Sequence, residues 1–270
     1  MGDIQKVVVI SDTHCGSTVG LLPPGCVSIE GNMLTLNEHQ QWIWDKWVDF
    51  TQHWLPEMVG DSEFALVING DVFEGNHHHS TQLMTPDPAD QWGIACKALD
   101  PLIEWADKSF VVVGTECHTR NMEHAIAEHF GSVKASNNRG AWDRLDMDVN
   151  GCVVRFVHHI STTSRVHLRA SRLSIHLANM QLEALRAKHP IPQVLCAGHC
   201  HVYDEYTDSV GMCITGPSWQ TLTRYGYKVV SNAVPSVGGY VLDWTECEPG
   251  ELPNCYARVY RPEHTGVVRL

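Results

Sequence analysis

The chain has 270 residues, a net charge of −12 and 43% hydrophobic residues, which is enough apolar material for one sizeable globular core. This acidity argues against extended, sequence-independent binding along duplex DNA, because such binding needs a basic face that displaces counterions. The N-terminus lacks the pattern of a secretion signal, and no run of about 18 apolar residues exists. We therefore expect a cytoplasmic protein that has no membrane partner.

The cysteines and histidines limit the kinds of metal or redox site that the chain can contain. None of the 10 cysteines forms a CxxC pair, which disfavours a zinc ribbon or a thioredoxin-like redox motif and favours reduced core thiols. The 17 histidines are unusual in number. Histidine is both a versatile metal ligand and an acid or base near neutral pH, so their positions decide what they indicate.

Hydrophobic periodicity predicts the order of secondary structure elements. The N-terminal half alternates strands with helices, at 6–10, about 37–58, 64–68, 90–106, 110–113 and 121–130. The C-terminal half is richer in strands. Asn150-Gly151 predicts a hairpin between strands 146–149 and 152–157. A long helix at about 166–188 precedes strands at 194–197 and near 202–207, 211–215, 225–230 and 239–244. No linker or repeat interrupts the chain, so we expect a single domain over 1–270 with a Trp-rich helical insertion at about 37–58.

Residue types that bind metals follow five of the predicted strands. These segments are Ser11 to His14, Asn69 to Asp71, Gly114 to His118, His158-His159, and Gly198 to His201. The carboxyl ends of strands form the binding crevice of α/β sheets. Any one segment occurs often by chance, but five in succession point to a metal site. Imidazole and carboxylate suit manganese, zinc, iron or nickel rather than calcium.

The order of these motifs resembles that of the calcineurin-like metallophosphoesterase family, over residues 6 to about 210. The stretches GDVFEGNHHHS, GTECH and HHIS are similar to a subgroup that is frequent in phages and prophages. The resemblance implies an α/β (α+β) fold, a four-layer αββα sandwich with two mixed β-sheets. It also implies hydrolysis of phosphate esters by a hydroxide that bridges two divalent transition-metal ions, for which manganese is favoured over zinc, iron or nickel.

The resemblance also assigns a role to each motif. One metal is held by Asp12, His14 and His201, Asp71 bridges both metals, and His158 and His199 bind the second. His118 keeps the family role of protonating the leaving group and contacting the phosphate, so His118 and Asp71 are the expected catalytic residues. The third motif departs from the family because its usual Asn ligand is missing. Glu116 is the expected replacement and Thr115 a weaker one, although Glu116 alternatively orients His118 or caps a turn.

Substrate contacts are less constrained by the pattern. His78, His159 and Arg139 are candidates for binding the phosphoester, although a solvated surface position explains His78 and Arg139 equally well. We expect a phosphodiesterase or phosphatase that acts on nucleotide-type or small phosphoesters. The alternatives are a metal-dependent nuclease on single-stranded or terminal DNA or RNA, and a non-catalytic scaffold. The Trp-rich stretch 42–54 is the feature that would favour a scaffold surface.

Overall fold

The computed structural model of the chain describes residues 4–76, 80–119, 122–161, 163, 165–224, 226 and 234–262. Within this part, the strands form two mixed sheets of five strands each. The first sheet has the order β10-β9-β1-β2-β3, with β1 at Lys6–Ile10, β2 at Phe64–Asn69, β3 at Lys108–Val112, β9 at Val237–Asp243 and β10 at Asn254–Tyr260. The second sheet has the order β4-β5-β6-β8-β7, with β4 at Leu145–Val149, β5 at Cys152–Val157, β6 at Val194–Ala197, β7 at Asp204–Thr207 and β8 at Met212–Thr215.

The helices lie between these strands in the chain. They are α1 at Glu38–Asp49, α2 at Leu55–Val59, α3 at Pro88–Trp105, α4 at Glu116–Thr119, α5 at Met122–His129 and α6 at Arg169–Ala187. A π-helical turn at Phe50–Trp54 joins α1 to α2, and a 3-10 turn at Val166–Leu168 leads into α6. Helix α1 starts where the sequence predicts, because the Asn37 side chain accepts a hydrogen bond from the Gln40 N–H at 3.0 Å. Among the described helices, none is long and apolar enough to cross a membrane.

Alternating side chains on the strands separate the core into layers. On β1, Val8 and Ile10 pack beneath α1 and α3, whereas Val7 and Val9 pack between the two sheets. This alternation follows from the two-residue period of a strand. On the far side of the second sheet, the buried face of α6 covers Cys213 of β8. The layers are therefore helix, sheet, sheet and helix, which confirms the predicted αββα sandwich.

The tryptophans of the Trp-rich segment 42–54 pack against the core between α1 and the first sheet. Trp47 is 3% exposed, and its ring lies edge-on to Trp219 with the centroids 4.7 Å apart. Trp42, Trp44 and Trp54 are partly buried and pack against the same core. Packing thus accounts for Trp47 and for the buried parts of the other three rings.

Two strands near the C-terminus differ from the sequence prediction. The predicted strand near 225–230 falls, except for residue 226, outside the described residues. Strand β10 was not predicted, yet it pairs with β9 from Asn254–Asp243 to Tyr260–Val237 at the edge of the first sheet. Because an edge strand packs on few partners, most of β10 is exposed and its sequence lacks a clear apolar alternation.

Candidate metal centre

Backbone hydrogen bonds hold the first two motif loops together beyond the ends of β1 and β2. These strands are parallel neighbours, so both loops emerge at the same edge of the first sheet. The Asp12 N–H donates to the Gly70 carbonyl at 3.0 Å, and the His14 N–H donates to the Asp71 carbonyl at 3.1 Å. The two loops therefore run side by side and present their Asp and His side chains together.

The second sheet meets this edge through the ends of β5 and β6, which are also parallel neighbours. The Asn69 side-chain amide donates to the Val157 carbonyl at 3.1 Å, and the Gly198 N–H donates to the His158 carbonyl at 3.0 Å. The His199 N–H in turn lies 3.1 Å from both carboxylate oxygens of Asp12. Four motif loops from two sheets thus converge on one place.

Several residues in these four loops adopt a left-handed backbone conformation, which residues other than glycine seldom adopt. Among the described residues, eight that are not glycine have positive φ. Five of these eight are predicted metal ligands: Asp12, His14, Asp71, His199 and His201, with φ between 43° and 66°. Left-handed backbone costs of order 1–3 kcal/mol per residue, and it concentrates at functional sites. The strain singles out these loops as the functional part of the fold.

Asp12, His14 and His201 form the first triad, a name we use for a set of three ligand side chains. One ligand atom from each lies within 4.8 Å of the others. The Nε2 atoms of His14 and His201 are 3.3 Å apart, and His201 Nε2 is 3.2 Å from Asp12 Oδ1. The structure thus brings together the three residues predicted for one metal.

The second triad consists of Asp71, His158 and His199. One ligand atom from each again lies within 4.8 Å of the others. His158 Nε2 lies 2.9 Å from Asp71 Oδ2, and His199 Nδ1 lies 3.9 Å from that oxygen. The triads adjoin, since His14 Nε2 of the first is 4.0 Å from Asp71 Oδ2 of the second. Asp71 therefore faces imidazoles of both triads, which is the position predicted for a bridging ligand.

The state of His158 indicates that this arrangement suits a cation. Its Nδ1 lies 2.7 Å from the Asn69 carbonyl oxygen, which only accepts, so Nδ1 carries the proton. Its Nε2 is fully buried, is aimed at two carboxylates and has no aligned hydrogen-bond partner. The two carboxylates require a positive charge opposite them, which a proton on Nε2 provides when no metal is bound. A divalent ion bound by Nε2 and the carboxylates meets this need, so the residues present fit the implied metals.

The buried carboxylates and imidazoles of the two triads shift one another's pKa values. Burial acts to raise the pKa of Asp12, but His158 and His201 outweigh it and lower that pKa to about 2. Burial likewise opposes ionisation of Asp71, yet His158, His199 and His14 hold its pKa well below the usual range. Burial acts to lower the pKa of His158, but Asp71 and Asp12 raise it to about 10. Both carboxylates are consequently charged, and positive charge is retained beside them.

The third motif loop brings Thr115, and not Glu116, to the second triad. Thr115 Oγ1 lies 3.2 Å from both Asp71 Oδ2 and His199 Nδ1, and the Thr115 N–H donates to Asp71 Oδ1 at 2.6 Å. Glu116 is the exposed first residue of α4 and belongs to neither triad. The loop can approach this closely because position 114 is glycine, where a Cβ would lie 2.3 Å from the Asp71 backbone nitrogen.

His118 lies beside the first triad. Its ring is perpendicular to that of His14, with the centroids 4.9 Å apart. Its Nδ1 donates to the Glu74 carbonyl oxygen at 2.7 Å, so Nδ1 carries the proton of the neutral imidazole and Nε2 is the nitrogen that takes up a second proton when the ring is charged. The predicted acid is therefore close to one of the predicted ligands and is held in one tautomer.

The predicted substrate contacts are placed differently from one another. His159 is exposed beside the second triad, with its ring centroid 4.5 Å from that of His199, and partial burial together with His199 and His158 lowers its pKa. Arg139 is exposed on the loop between α5 and β4, where its backbone bonds to Ala135 and Asn137. No described contact connects Arg139 to either triad. His78 lies outside the described residues.

Two buried glutamates support the centre and were missed by the sequence analysis. Glu74 lies 2.9 Å from His14 Nδ1 through Oε2, and the same oxygen accepts from the Gln220 amide at 2.9 Å. A carboxylate behind a ligating imidazole orients the ring and raises its basicity. The available signal was the position of Glu74 three residues after Asp71, in the same loop.

Glu123 of α5 holds two of the motif loops. Its carboxylate accepts from the Val72 N–H at 3.2 Å and, in a shorter bond, from the Gly114 N–H. Burial and the nearby Asp71 raise the pKa of Glu123 to about 7. Glu123 shares the buried side of α5 with Ile126 and Ala127. A carboxylate on an apolar helix face was the signal that would have revealed it.

Neither a protein-family model nor a curated protein matches this sequence. Solved structures do resemble the fold at low identity. A predicted phosphoesterase from Streptococcus pneumoniae is 14% identical, with 96% of this chain and 99% of that chain covered and a TM-score of 0.37. A novel archaeal phosphodiesterase is 11% identical, with 94% and 99% covered and a TM-score of 0.45. Vps29 of Entamoeba histolytica in complex with zinc is 12% identical, with 94% and 98% covered and a TM-score of 0.39.

Proposed function

We propose that this protein is a phosphoesterase of the calcineurin-like type that uses two divalent metal ions. The observation that carries the proposal is the pair of adjoining Asp/His triads, with Asp71 facing imidazoles of both. Two such sites on either side of one carboxylate are the arrangement by which metal-dependent enzymes clamp a phosphate. Manganese is the metal that we propose first, and zinc, iron and nickel suit the same nitrogen and oxygen ligands.

The protein side of the mechanism begins with positioning. Asp12, His14 and His201 would hold one ion, and Asp71, His158 and His199 would hold the other. When bound, the ions would lower the pKa of a water molecule and supply positive charge for the phosphate oxygens. The Asn69 carbonyl fixes the His158 ring by accepting a hydrogen bond from Nδ1, and the Glu74 carboxylate lies at ion-pair distance behind Nδ1 of His14. These supports keep each Nε2 aimed into the centre before substrate arrives.

His118 is the residue that we propose as general acid. Protonation of the leaving oxygen requires a donor with a pKa near neutrality that stands close to the phosphate. His118 is half-buried beside His14, and because its Nδ1 proton is bonded to the Glu74 carbonyl, the proton given to the leaving oxygen would be the one that Nε2 carries in the charged imidazolium. His159, next to His199, is proposed to contact the phosphate from the side of the second triad.

The substrate class that we propose is a nucleotide-type or small phosphoester. The net charge of −12 opposes long contacts along a nucleic acid backbone, whereas the centre itself supplies local positive charge when metals are bound. A small substrate needs only this local charge. Hydrolysis of single-stranded or terminal nucleic acid is the alternative that the same chemistry supports.

The experiment is a comparison of Asp71→Asn with wild type, each loaded with Mn²⁺. The substrates are an aryl phosphodiester, an aryl phosphomonoester, a cyclic nucleotide and a short single-stranded oligonucleotide. We expect wild type to hydrolyse the small esters, and Asp71→Asn to lose that activity while its circular dichroism spectrum is unchanged. An active Asp71→Asn variant would refute the bridging assignment. Binding of metal without turnover of any of the four substrates would favour a scaffold instead.

A further inference from the structure

A second cluster of metal-type ligands lies away from the two triads, between helices α3 and α5. It consists of Cys96, Asp100 and His129, and one ligand atom from each lies within 4.8 Å of the others. Cys96 and Asp100 are one helical turn apart on α3, so their side chains share a face. His129 is the last residue of α5. The three residues therefore connect one helix to the end of another.

The ring of His129 is held in place by a neighbour on α3. Trp92 precedes Cys96 by four residues and contacts His129 edge-on, with the ring centroids 5.6 Å apart. Trp92, Cys96 and Asp100 thus form one row along α3 that faces the end of α5. Cys96 and Asp100 are half-buried and His129 is exposed. The cluster is accessible to an ion, and its histidine orientation is set by packing.

We propose that Cys96, Asp100 and His129 form a zinc site that joins α3 to α5. Zinc binds thiolate, imidazole and carboxylate together, with bonds of about 2.0–2.3 Å, and a water completes the tetrahedron when the protein supplies three ligands. Ligand atoms in such a tetrahedron lie about 3.3–3.8 Å apart. Closing the cluster around zinc therefore requires side-chain shifts of about 1 Å.

Burial and the nearby Asp100 carboxylate raise the pKa of Cys96 to about 11, so the thiol is protonated without a metal and zinc would have to displace that proton. A divalent cation between sulfur and carboxylate would stabilise both anionic groups at once. The consequence extends along α5, which also carries Glu123 and its hydrogen bonds to the motif loops. An ion that fixes the end of α5 would thereby steady a helix on which the candidate metal centre rests.

Cobalt substitution distinguishes this site from the triads, because the triads contain nitrogen and oxygen ligands alone. The reduced, metal-free protein is titrated with Co²⁺, and the thiolate-to-cobalt charge-transfer absorption is recorded. We expect this absorption in wild type and its loss in Cys96→Ser. Cys200→Ser is the control, since Cys200 lies between His199 and His201, and it should retain the absorption. Loss in Cys200→Ser with retention in Cys96→Ser would overturn the proposal.

Zinc stoichiometry gives a second readout that does not depend on the half-buried Cys96 thiol. His129→Gln alters an exposed residue, so the fold should be retained. After zinc loading and gel filtration, we expect this variant to hold one equivalent of zinc less than wild type, as measured by elemental analysis. His124→Gln, on the same helix, is the matched control and should hold the wild-type amount. Equal zinc content in His129→Gln and wild type would refute the site.

Discussion

The irregular third motif gives the sharpest test of how the second triad holds its ion. Thr115→Val removes a hydroxyl that lies 3.2 Å from Asp71 Oδ2 and from His199 Nδ1, while it keeps the branched shape of the side chain. A hydrogen bond to a charged group contributes about 1.5–3 kcal/mol. At about 1.4 kcal/mol for each tenfold change, its loss should weaken Mn²⁺ binding at this triad by about 10- to 100-fold. Removal of residues that orient metal ligands has effects of this size.

The matched control is Glu116→Gln, one residue further along the same loop. Glu116 is exposed and belongs to neither triad, so the loss of its charge should change metal affinity by less than about twofold. Thr115→Ser retains the hydroxyl and should restore most of the affinity. Isothermal titration of the metal-free proteins with Mn²⁺ measures both effects. Wild-type binding by Thr115→Val, together with loss of one equivalent in Glu116→Gln, would show that Glu116 is the ligand.

Substitution of His158, Glu123 and Trp47 gives three further predictions. In the metal-free protein, folding raises the pKa of His158 from about 6.5 to about 10. The protonated His158 therefore stabilises the fold fully below pH 6.5, and this stabilisation is lost as the pH rises to about 10. Urea denaturation of wild type and His158→Asn between these pH values measures it, and parallel curves would contradict the argument. Glu123→Ala should lower the free energy of unfolding by about 2–6 kcal/mol, since the buried Val72 N–H and the part-buried Gly114 N–H lose their acceptor at about 1–3 kcal/mol each. An unchanged melting temperature would contradict this. Trp47→Ala should cost about 3–5 kcal/mol as a core cavity and leave Mn²⁺ affinity intact, so a selective loss of metal would contradict a packing role.

The sequence was sufficient to locate the motif loops because each follows a strand with a strong signal. Strands β1, β2 and β6 are short apolar runs that are almost wholly buried, and such runs are recognisable without knowledge of the fold. Parallel pairing brings the carboxyl ends of β1 and β2 together in the first sheet and those of β5 and β6 together in the second, but it does not by itself bring the two sheets together. The grouping of Asp12 with His201, which are far apart in sequence, rested additionally on the family resemblance.

Other features depend on the three-dimensional arrangement and were not predictable from the pattern. The choice between Thr115 and Glu116 depends on which side chain the loop turns towards Asp71, and residue type alone favoured the stronger ligand, Glu116. The support by Glu123 depends on the packing of α5 against two loops. The left-handed backbone at Asp12 and Asp71 carries no sequence signal comparable to a glycine, because it is imposed by the hydrogen bonds between neighbouring loops.

Each triad takes ligands from both sheets, and this determines when a site becomes complete during synthesis. Asp12 and His14 follow a strand of the first sheet, whereas His201 follows β6 of the second. The second triad likewise combines Asp71, after β2, with His199, after β6. Translation proceeds from the N-terminus, so neither triad has all of its ligands until residues 199–201 have left the ribosome. Strands β9 and β10, which complete the first sheet beside β1, emerge later still. Under the proposed function, a nascent chain that stalls before residue 199 would expose incomplete ligand sets, and metal loading would be among the last steps of maturation.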